Sequence, residues 1–221
     1  MAYRETGKVR EHKAAQRELL LATGEALVRE GGFAALTVQA LAARAGMGVG
    51  TVYRYFRAKD ELATEVFRRA TEREVAAVAA ALAGQPDAVA SLRAAIGCFA
   101  RRALRAPRLA WGLIAEPVDP AVDAERLRYR AAYAELFEQV IAAGLRAGEL
   151  PPQPTRLAAA ALVGALAEAL VGPLADHQAD EPVIHELTLF CLRATGARLA
   201  EQENDHDQTD GFAPGRARGH A

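Results

Sequence analysis

Residues 46–62 read GMGVGTVYRYFRAKDEL, and this stretch decides the fold. Val52 and Phe56 stand four positions apart, so they share one face of a short helix that the pattern predicts over 49–56. The turn Gly46-Met47-Gly48 precedes that helix, and its glycines favour the end of any helix before it. The stretch therefore predicts a glycine-containing turn followed by a short helix with one buried face.

A second short helix is predicted in front of the turn, over 38–45. Thr37 is a good N-cap because its hydroxyl can accept a hydrogen bond from an amide of the first turn. Leu41, Ala42 and Ala45 fall on one side of this helix. Two helices of about eight residues, joined by a short turn that contains glycine, are typical of a helix-turn-helix.

A longer helix is predicted from about Ala14 to Glu30, where Gly31-Gly32 favours a left-handed helix end. With the two short helices it makes a helix-turn-helix domain over 14–60, and a fourth helix from 60 connects this domain to the rest. Residues 1–13 are polar and charged and are predicted as a flexible N-terminal arm.

The composition favours helices along the whole chain of 221 residues. Alanine supplies 52 of them and aromatic residues only 6%. Because alanine is the best helix former and strands prefer β-branched and aromatic residues, the prediction is an all-α fold of nine helices. The rear helices are predicted over 60–82, 88–105, 107–115, 122–145, 154–174 and 182–201. A second domain is thus predicted over 61–203, followed by a disordered tail over 204–221.

Charge differs between the two domains although the formal net charge of the chain is only −1. Residues 1–60 hold ten Lys and Arg against six Asp and Glu, a net charge of +4. Residues 61–221 hold seventeen against twenty-two, a net charge of −5. The near-zero total argues against a polycationic nucleic-acid binder, whereas the split makes the front domain the part that suits an anionic partner.

The predicted helix over 49–56 must expose the side chains that do not lie on its apolar face. These are Thr51, Tyr53, Arg54 and Tyr55. Hydroxyl-bearing aromatic rings beside a cation suit contacts with phosphates and base edges. Lys59, one of three lysines against 24 arginines, opens the next helix, where unpaired backbone amides already favour a phosphate. This surface is therefore predicted to bind DNA.

In combination these features resemble the DNA-binding domain of the tetracycline-repressor (TetR) family of bacterial regulators, over about residues 14–75. The matching features are the first helix ending in Gly-Gly-Phe, Leu36-Thr37, Leu41-Ala42, Ala45-Gly46, the run from Gly50 to Phe56, and Lys59 with Leu62. The resemblance implies an all-helical homodimer in which residues 49–56 form the recognition helix. It also implies that the DNA backbone is held by Thr37, Thr51, Tyr53, Tyr55 and Lys59.

The turn departs from that family, which often has a serine or another polar residue where this chain has Gly48. With few polar side chains there, direct readout of bases is predicted to be sparse. The predicted contacts are those of Thr51, Arg54 and Tyr55, of Val49 with thymine methyl groups, and of bare backbone at Gly48 and Gly50.

The last two helices carry many small residues, which let helices approach each other closely. Two such helices from each protomer would form a four-helix bundle, an assignment that the family resemblance supports. Periodicity alone allows burial inside one subunit equally well. The predicted dimer interface comprises Leu157, Ala161, Gly164, Ala165, Glu168, Ile184, Leu187, Thr188, Cys191 and Thr195.

Most aromatic residues of the rear domain gather in its second to fourth helices. The predicted ligand-binding residues are Phe99, Trp111, Leu113, Glu116, Tyr129, Tyr133 and Phe137. A mostly apolar cavity with a few polar groups is the usual form of a small-molecule site, but the same spacing is typical of ordinary core. The resemblance implies that ligand binding moves the fourth helix and spreads the two recognition helices, which requires a higher ligand affinity in the state that does not bind DNA.

Catalytic, metal and membrane motifs are not predicted. His185-Glu186 lacks the second histidine of a zinc protease, because position 189 is leucine, and Ser91 is the only serine. No enzyme activity, cofactor or metal is therefore expected. The N-terminus has no apolar signal segment, and Cys98 and Cys191 match reduced thiols, so a soluble cytoplasmic protein without a membrane partner is predicted.

The predicted function is that of a ligand-responsive transcriptional regulator, a repressor, which binds a palindromic operator as a homodimer and is released by a small-molecule effector. Activation in place of repression stays open, because the sequence does not give the sign of regulation. One alternative is a constitutive or architectural DNA-binding dimer without an effector. Another, from a different class, is a helical small-molecule-binding protein or enzyme.

Overall fold

The computed structural model describes residues 7–176 and 181–199. Over these ranges the chain is helical and has no strand, which confirms the all-α prediction. The helices are α1 (Gly7–Gly31), α2 (Val38–Ala45), α3 (Val49–Val52), α4 (Lys59–Leu82), α5 (Ala88–Arg105), α6 (Pro107–Ile114), α7 (Pro120–Ala147), α8 (Thr155–Asp176) and α9 (Glu181–Ala194). A 3-10 turn, Phe33–Ala35, links α1 to α2. The predicted tail over 204–221 lies outside the described residues.

The first helix begins earlier than predicted. Residues 7–13, predicted as part of a flexible arm, are the first two turns of α1. Lys8, Arg10, Glu11 and Lys13 make up most of this stretch, and Lys, Arg and Glu are good helix formers. The prediction failed because a polar segment without an apolar face carries no periodic signal, although nothing in it opposes a helix.

The predicted recognition helix over 49–56 is α-helical only over Val49–Val52. Beyond it the Tyr55 N–H donates to the Val52 carbonyl at 2.9 Å, an i to i+3 bond of the 3-10 type. One glycine and three β-branched residues fill the four positions of α3 and lower its helix propensity, so the segment continues as tighter turns. The two helix ends around α2 are as predicted: Thr37 Oγ1 accepts from the Ala40 amide at 3.1 Å, and Gly46 is left-handed with φ of 66°.

Two hydrophobic cores divide the molecule, and α4 contributes to both. The front core joins α1 to α3 with the first half of α4, and its most buried side chains include Leu20, Val28, Leu41, Val52, Phe56, Leu62 and Phe67. The rear core joins α5 and α7 to α9 with the second half of α4, and it includes Val78, Leu92, Ile96, Phe137, Ile141, Leu166 and Leu170. Leu109 of α6 and Val122 of α7 are buried in the front core, so the rear domain packs directly against the front domain.

Ion pairs fix α4 against its neighbours on two sides. Glu25 of α1 is only 5% exposed and accepts hydrogen bonds from Arg73 of α4. Glu125 of α7 is 6% exposed and accepts from Arg68 of α4 at 2.6 Å. The Arg68 guanidinium holds the pKa of the Glu125 carboxyl below its usual range. Because a buried carboxylate without a partner is costly, these pairs set the position of α4 relative to α1 and α7.

Candidate nucleic-acid interface and ligand cavity

The predicted recognition segment presents one face to the core and the other to solvent. Val52 and Phe56 are each 1% exposed, whereas Val49 and Tyr53 are 39% and 49% exposed. The predicted DNA-binding residues that are exposed are Gly48, Val49, Gly50, Tyr53, Arg54 and Lys59. The half-buried ones are Thr37, Thr51 and Tyr55.

The cations around α3 form no ion pair within the described part of the chain. Arg54, Arg57 and Lys59 pair with no carboxylate in the part of the chain that the structure describes. By contrast, Arg68 and Arg73 of α4 are held in ion pairs by α7 and α1. The front surface therefore keeps positive charge available for an anionic partner, as a phosphate-binding surface requires.

Tyr55, for which a DNA contact is predicted, makes a hydrogen bond inside the chain. Its hydroxyl donates to Oε1 of Gln16 at 2.5 Å, and the Arg17 guanidinium lies 5.4 Å from the centroid of the Phe56 ring. A tyrosine hydroxyl has one hydrogen to donate, so it cannot keep this bond and also donate to a phosphate. In this conformation Tyr55 holds α1 against the end of the recognition segment.

The glycines of the turn leave the start of α3 open. A Cβ added at Gly50 would meet nothing within 4 Å, and one at Gly48 would meet only the Thr51 hydroxyl at 4.0 Å. Gly48 is the N-cap of α3 and provides no side-chain hydrogen bond to it. An approaching surface can therefore reach the backbone here, which fits the predicted close approach of DNA.

A cavity of about 50 Å³ lies between α4, α5, α6 and α7. Its lining residues are Glu74, Val78, Phe99, Arg102, Ala103, Ala106, Leu109, Ala110, Leu113, Ile114 and Tyr133. Phe99 and Tyr133 meet edge to face, with ring centroids 5.4 Å apart. Among the predicted ligand-binding residues, Phe99, Leu113 and Tyr133 therefore share one cavity, whose walls are otherwise mostly alanine and branched aliphatic side chains.

The polar groups of the cavity form a neutral set. Arg102 donates to both carboxylate oxygens of Glu74, at 2.5 and 2.9 Å. The Tyr133 hydroxyl has no hydrogen-bond partner among the residues that the structure describes. Burial is the main cause that raises the Tyr133 pKa, and the nearby Glu74 charge raises it further. The cavity thus offers one neutral hydroxyl, and its two charged side chains are already paired with each other.

Four residues predicted as ligand-binding do not line this cavity. Trp111 lies half-buried on α6, and Phe137 is 1% exposed inside the rear core. The Tyr129 hydroxyl lies 3.3 Å from the Arg68 carbonyl and 3.2 Å from the Glu72 carboxylate, so it belongs to the α4–α7 contact. The fourth is Glu116. The sequence interpretation missed Glu74 and the alanines, because it selected large aromatic residues and a cavity is formed where side chains are small.

Glu116 links the rear domain to the front domain. Its carboxylate accepts hydrogen bonds from the backbone amides of Phe33 at 2.9 Å and Ala34 at 3.1 Å. Gly32 is left-handed with φ of 72°, and a Cβ there would lie 2.8 Å from Glu116 Oε2. Glycine is therefore required both for the backbone conformation and for the approach of the carboxylate.

Arg126 of α7 holds the chain that carries Glu116. Its guanidinium donates to the carbonyls of Gly112, Leu113 and Glu116, at 3.2, 3.1 and 2.7 Å. These carbonyls lie at or just beyond the end of α6, where a helix has no intrahelical donors left. The end of α6, the loop after it and the 3-10 turn between α1 and α2 are thus joined through hydrogen bonds.

The last two helices expose an apolar surface. By length and composition, the part of α8 over Thr155–Leu174 could also cross a membrane, and a third of it is buried inside the chain. Its outer face carries Leu157, 68% exposed, with Ala161, Gly164 and Glu168, while Ala165 is half-buried. Phe190 of α9 is 58% exposed. Apolar surface of this kind marks a protein contact.

The α9 part of the predicted interface needs a correction. Ile184, Leu187, Thr188, Cys191 and Thr195 are each at most 7% exposed in the single chain. They pack into the rear core and cannot also face a partner. The apolar repeat of α9 marks its core face, and the face that is free to meet another protomer carries Phe190 instead.

Comparison with known proteins gives matches over both domains. A family model described as "Bacterial regulatory proteins, tetR family" matches residues 20–66. A second, described as "Tetracyclin repressor-like, C-terminal domain", matches residues 85–170. Among curated protein sequences none matches this chain significantly.

Several solved structures share the fold. The transcriptional regulator FadR from Bacillus subtilis, in complex with stearoyl-CoA, is 17% identical with a TM-score of 0.69, over 82% of this chain and 99% of that one. RolR in complex with resorcinol is 18% identical with a TM-score of 0.64, over 90% and 96%. Reduced NemR from E. coli is 17% identical with a TM-score of 0.67, over 84% and 100%.

Replacing each of two tyrosines by phenylalanine tests the assignment of the cavity. Tyr129→Phe should lower the free energy of unfolding by about 1 kcal/mol, because its hydroxyl bonds in the α4–α7 contact. Tyr133→Phe should change it by less than about 0.5 kcal/mol, because its hydroxyl has no partner to lose. Urea unfolding of both variants measures the difference. Equal losses would contradict a cavity-facing Tyr133 hydroxyl.

Proposed function

Because this chain belongs to the tetR family of bacterial regulatory proteins, we propose that it is a homodimeric repressor that a small-molecule effector releases from a palindromic operator. Members of the family are DNA-binding transcriptional regulators, and this chain is one of them. The observation that carries the DNA-binding role is the set of exposed cations around α3, Arg54, Arg57 and Lys59, which no carboxylate of the described chain neutralises.

The DNA contacts divide into two kinds. Tyr53 and Lys59, with Thr37 and Thr51, hold phosphates, and Arg54 contacts base edges. The Thr37 hydroxyl can still donate its hydrogen to a phosphate, because it caps α2 only through its oxygen, as an acceptor. The open backbone at Gly48 and Gly50 lets α3 sit deep in the major groove, with Val49 against thymine methyl groups. Tyr55 supports the surface from behind as a positioning residue.

Dimerisation follows from the shortness of α3. One helix of a single α-turn makes few base contacts, so specific binding needs a second copy about one DNA turn, 34–36 Å, away. The exposed face of α8 and Phe190 of α9 support a four-helix bundle between two protomers. Small residues on that face, such as Gly164, allow the helices to approach closely.

The effector is an uncharged, mostly apolar molecule that carries a hydrogen-bonding group. The two charges in the cavity, Glu74 and Arg102, already neutralise each other, so a charged ligand would enter without a partner. The Tyr133 hydroxyl is the group left to bond with it. The complexes of FadR and RolR support an effector role, since each is a structure of this fold with a small molecule.

The effector signal passes through α6. The cavity of about 50 Å³ holds only a few waters, so a larger molecule must displace its walls, and α6 supplies Leu109, Ala110 and Leu113. The end of α6 leads into Glu116, which bonds the front domain. A shift of α6 therefore pulls on the α1–α2 connection, and release follows if the effector binds the shifted state more tightly.

Lys59→Ala tests the DNA-binding role. Loss of a phosphate contact should weaken binding to specific and mixed-sequence duplexes by the same factor, about five- to tenfold, and should reduce the salt slope of the dimer by about 2. Fluorescence anisotropy with the chain's own promoter DNA, titrated with salt, measures both. Arg146→Ala, an exposed cation at the end of α7, is the control. A wild-type slope of zero would refute the DNA-binding role, and a loss confined to one base pair would refute the assignment of Lys59 to phosphate.

Phe190→Asp tests the dimer. A charge on this exposed apolar residue must be buried unpaired in the proposed bundle, so the variant should sediment as a monomer at concentrations where the wild type is a dimer. Analytical ultracentrifugation gives the two masses. Leu19→Asp is the matched control, because Leu19 is 47% exposed but lies on α1. If both variants remain dimers, the interface lies elsewhere.

Glu116→Gln tests the link between the domains. The glutamine amide keeps one oxygen that can accept, but its NH2 group then faces the second backbone N–H, so one of the two hydrogen bonds is lost. Hydrogen exchange at the Phe33 and Ala34 amides should therefore accelerate, and the free energy of unfolding should fall by about 1 kcal/mol. Hydrogen exchange followed by NMR measures the two amides. Glu135→Gln, on the exposed side of α7, should leave them unchanged. Unaltered exchange in Glu116→Gln would show that the contact does not join the domains.

A further inference from the structure

The first nine residues of α1, here called the α1 extension, lie outside the packed body of the protein. Residues 7–15 are all exposed, and the buried face of α1 begins only at Leu20. These residues therefore add nothing to the front core. They form about two and a half turns of exposed helix.

The α1 extension is cationic. It contains Lys8, Arg10 and Lys13 against a single acidic residue, Glu11, so its net charge is +2 with His12 neutral. Within the described ranges of the chain, Lys8 and Arg10 pair with no carboxylate. The charges of Lys8 and Arg10 are thus available to an anionic partner.

The following turns of α1 use their charges differently. Arg17 pairs with Glu65 of α4 at 3.0 Å, and Glu18 and Glu25 pair with Arg69 and Arg73. Charged residues along the packed part of α1 therefore serve to attach it to α4. Lys8 and Arg10 of the extension form no such ion pair within the described part of the chain.

The C-terminal end of the α1 extension adjoins the contact between α1 and the recognition segment. Gln16 accepts the hydrogen bond of the Tyr55 hydroxyl, and the Arg17 guanidinium lies over the Phe56 ring. At 1.5 Å per residue, the nine residues before Gln16 reach about 13 Å beyond this junction. That length is enough to reach at least two phosphates of one strand, since these follow each other at about 3.4 Å along the helix axis.

We propose that the α1 extension is a second DNA-contacting element, which binds the phosphates that flank each half-site. The inference rests on the proposed DNA-binding function and adds to it a surface outside the helix-turn-helix. Its partner is the duplex backbone, recognised by charge and independent of base sequence. Two observations favour this partner: the extension adjoins the recognition segment, and its positive charge is opposite to that of the DNA backbone.

The test uses the full chain with Lys8→Ala and Arg10→Ala combined. Both positions are exposed and alanine favours helix, so the fold should be retained, as circular dichroism and thermal unfolding will show. Binding to a mixed-sequence duplex of about 40 base pairs is measured by fluorescence anisotropy across a salt titration. Two lost contacts in each of two protomers should reduce the salt slope by about 3–4 and weaken binding at least tenfold near 0.1 M salt.

The matched control removes two exposed arginines of the rear domain, Arg105→Ala with Arg146→Ala, and should leave the slope unchanged. Glu11→Gln removes the anion of the extension and should tighten binding about two- to threefold. A double variant with the wild-type slope would overturn the inference while the proposed function stands. A wild-type slope of zero would overturn both.

Discussion

The structure depends on a single helix that belongs to two cores. α4 buries Phe67 in the front core and Val78 in the rear core, and no loop interrupts it between them. The buried carboxylates of Glu25 and Glu125 approach it from α1 and α7, and each needs an arginine of α4 to offset the cost of its burial. α4 therefore cannot slide or rotate without breaking a pair, and under the proposed function it would carry a change in the rear domain to the front domain as a rigid element.

A second connection joins the two domains at the Glu116 carboxylate. Glu116 fixes the α1–α2 turn through two backbone amides, and it sits at the end of the helix that forms one wall of the cavity. α4 holds the two domains together, whereas the Glu116 contact joins the front domain to α6, which lines the cavity. Closely packed interiors respond to added volume by shifting helices between discrete positions rather than by stretching, so under the proposed function a molecule that enlarged the cavity would change the front domain through this contact.

The sequence predicts the fold better than it predicts the sites. The helix-turn-helix is encoded locally, by the Thr37 cap, the left-handed Gly46 and the paired apolar positions Val52 and Phe56, and all of these take the predicted roles. Residues 7–13 were missed because a helix without a buried face has no apolar period.

The sites depend on contacts between distant segments. The Glu116 contact joins residues 83 positions apart, and no local pattern marks it. In α9 an apolar period shows that one face is buried but not whether the same chain or a partner buries it, and Cys191 and its neighbours face their own core. The cavity lies where alanines leave space, whereas the sequence prediction rests on large aromatic residues. That prediction includes Phe99 and Tyr133, which line the cavity, but also Phe137, which is buried in the rear core.

The central claim is that two copies of this chain read DNA together through paired cationic front domains. Duplexes selected from a random library by the purified full chain, then probed by hydroxyl-radical footprinting, test it directly. The expected result is a palindromic consensus with two protected tracts whose centres lie a whole number of helical turns apart, 34–36 Å for one turn. Failure to enrich any sequence, or a single short tract bound by one copy, would contradict the claim.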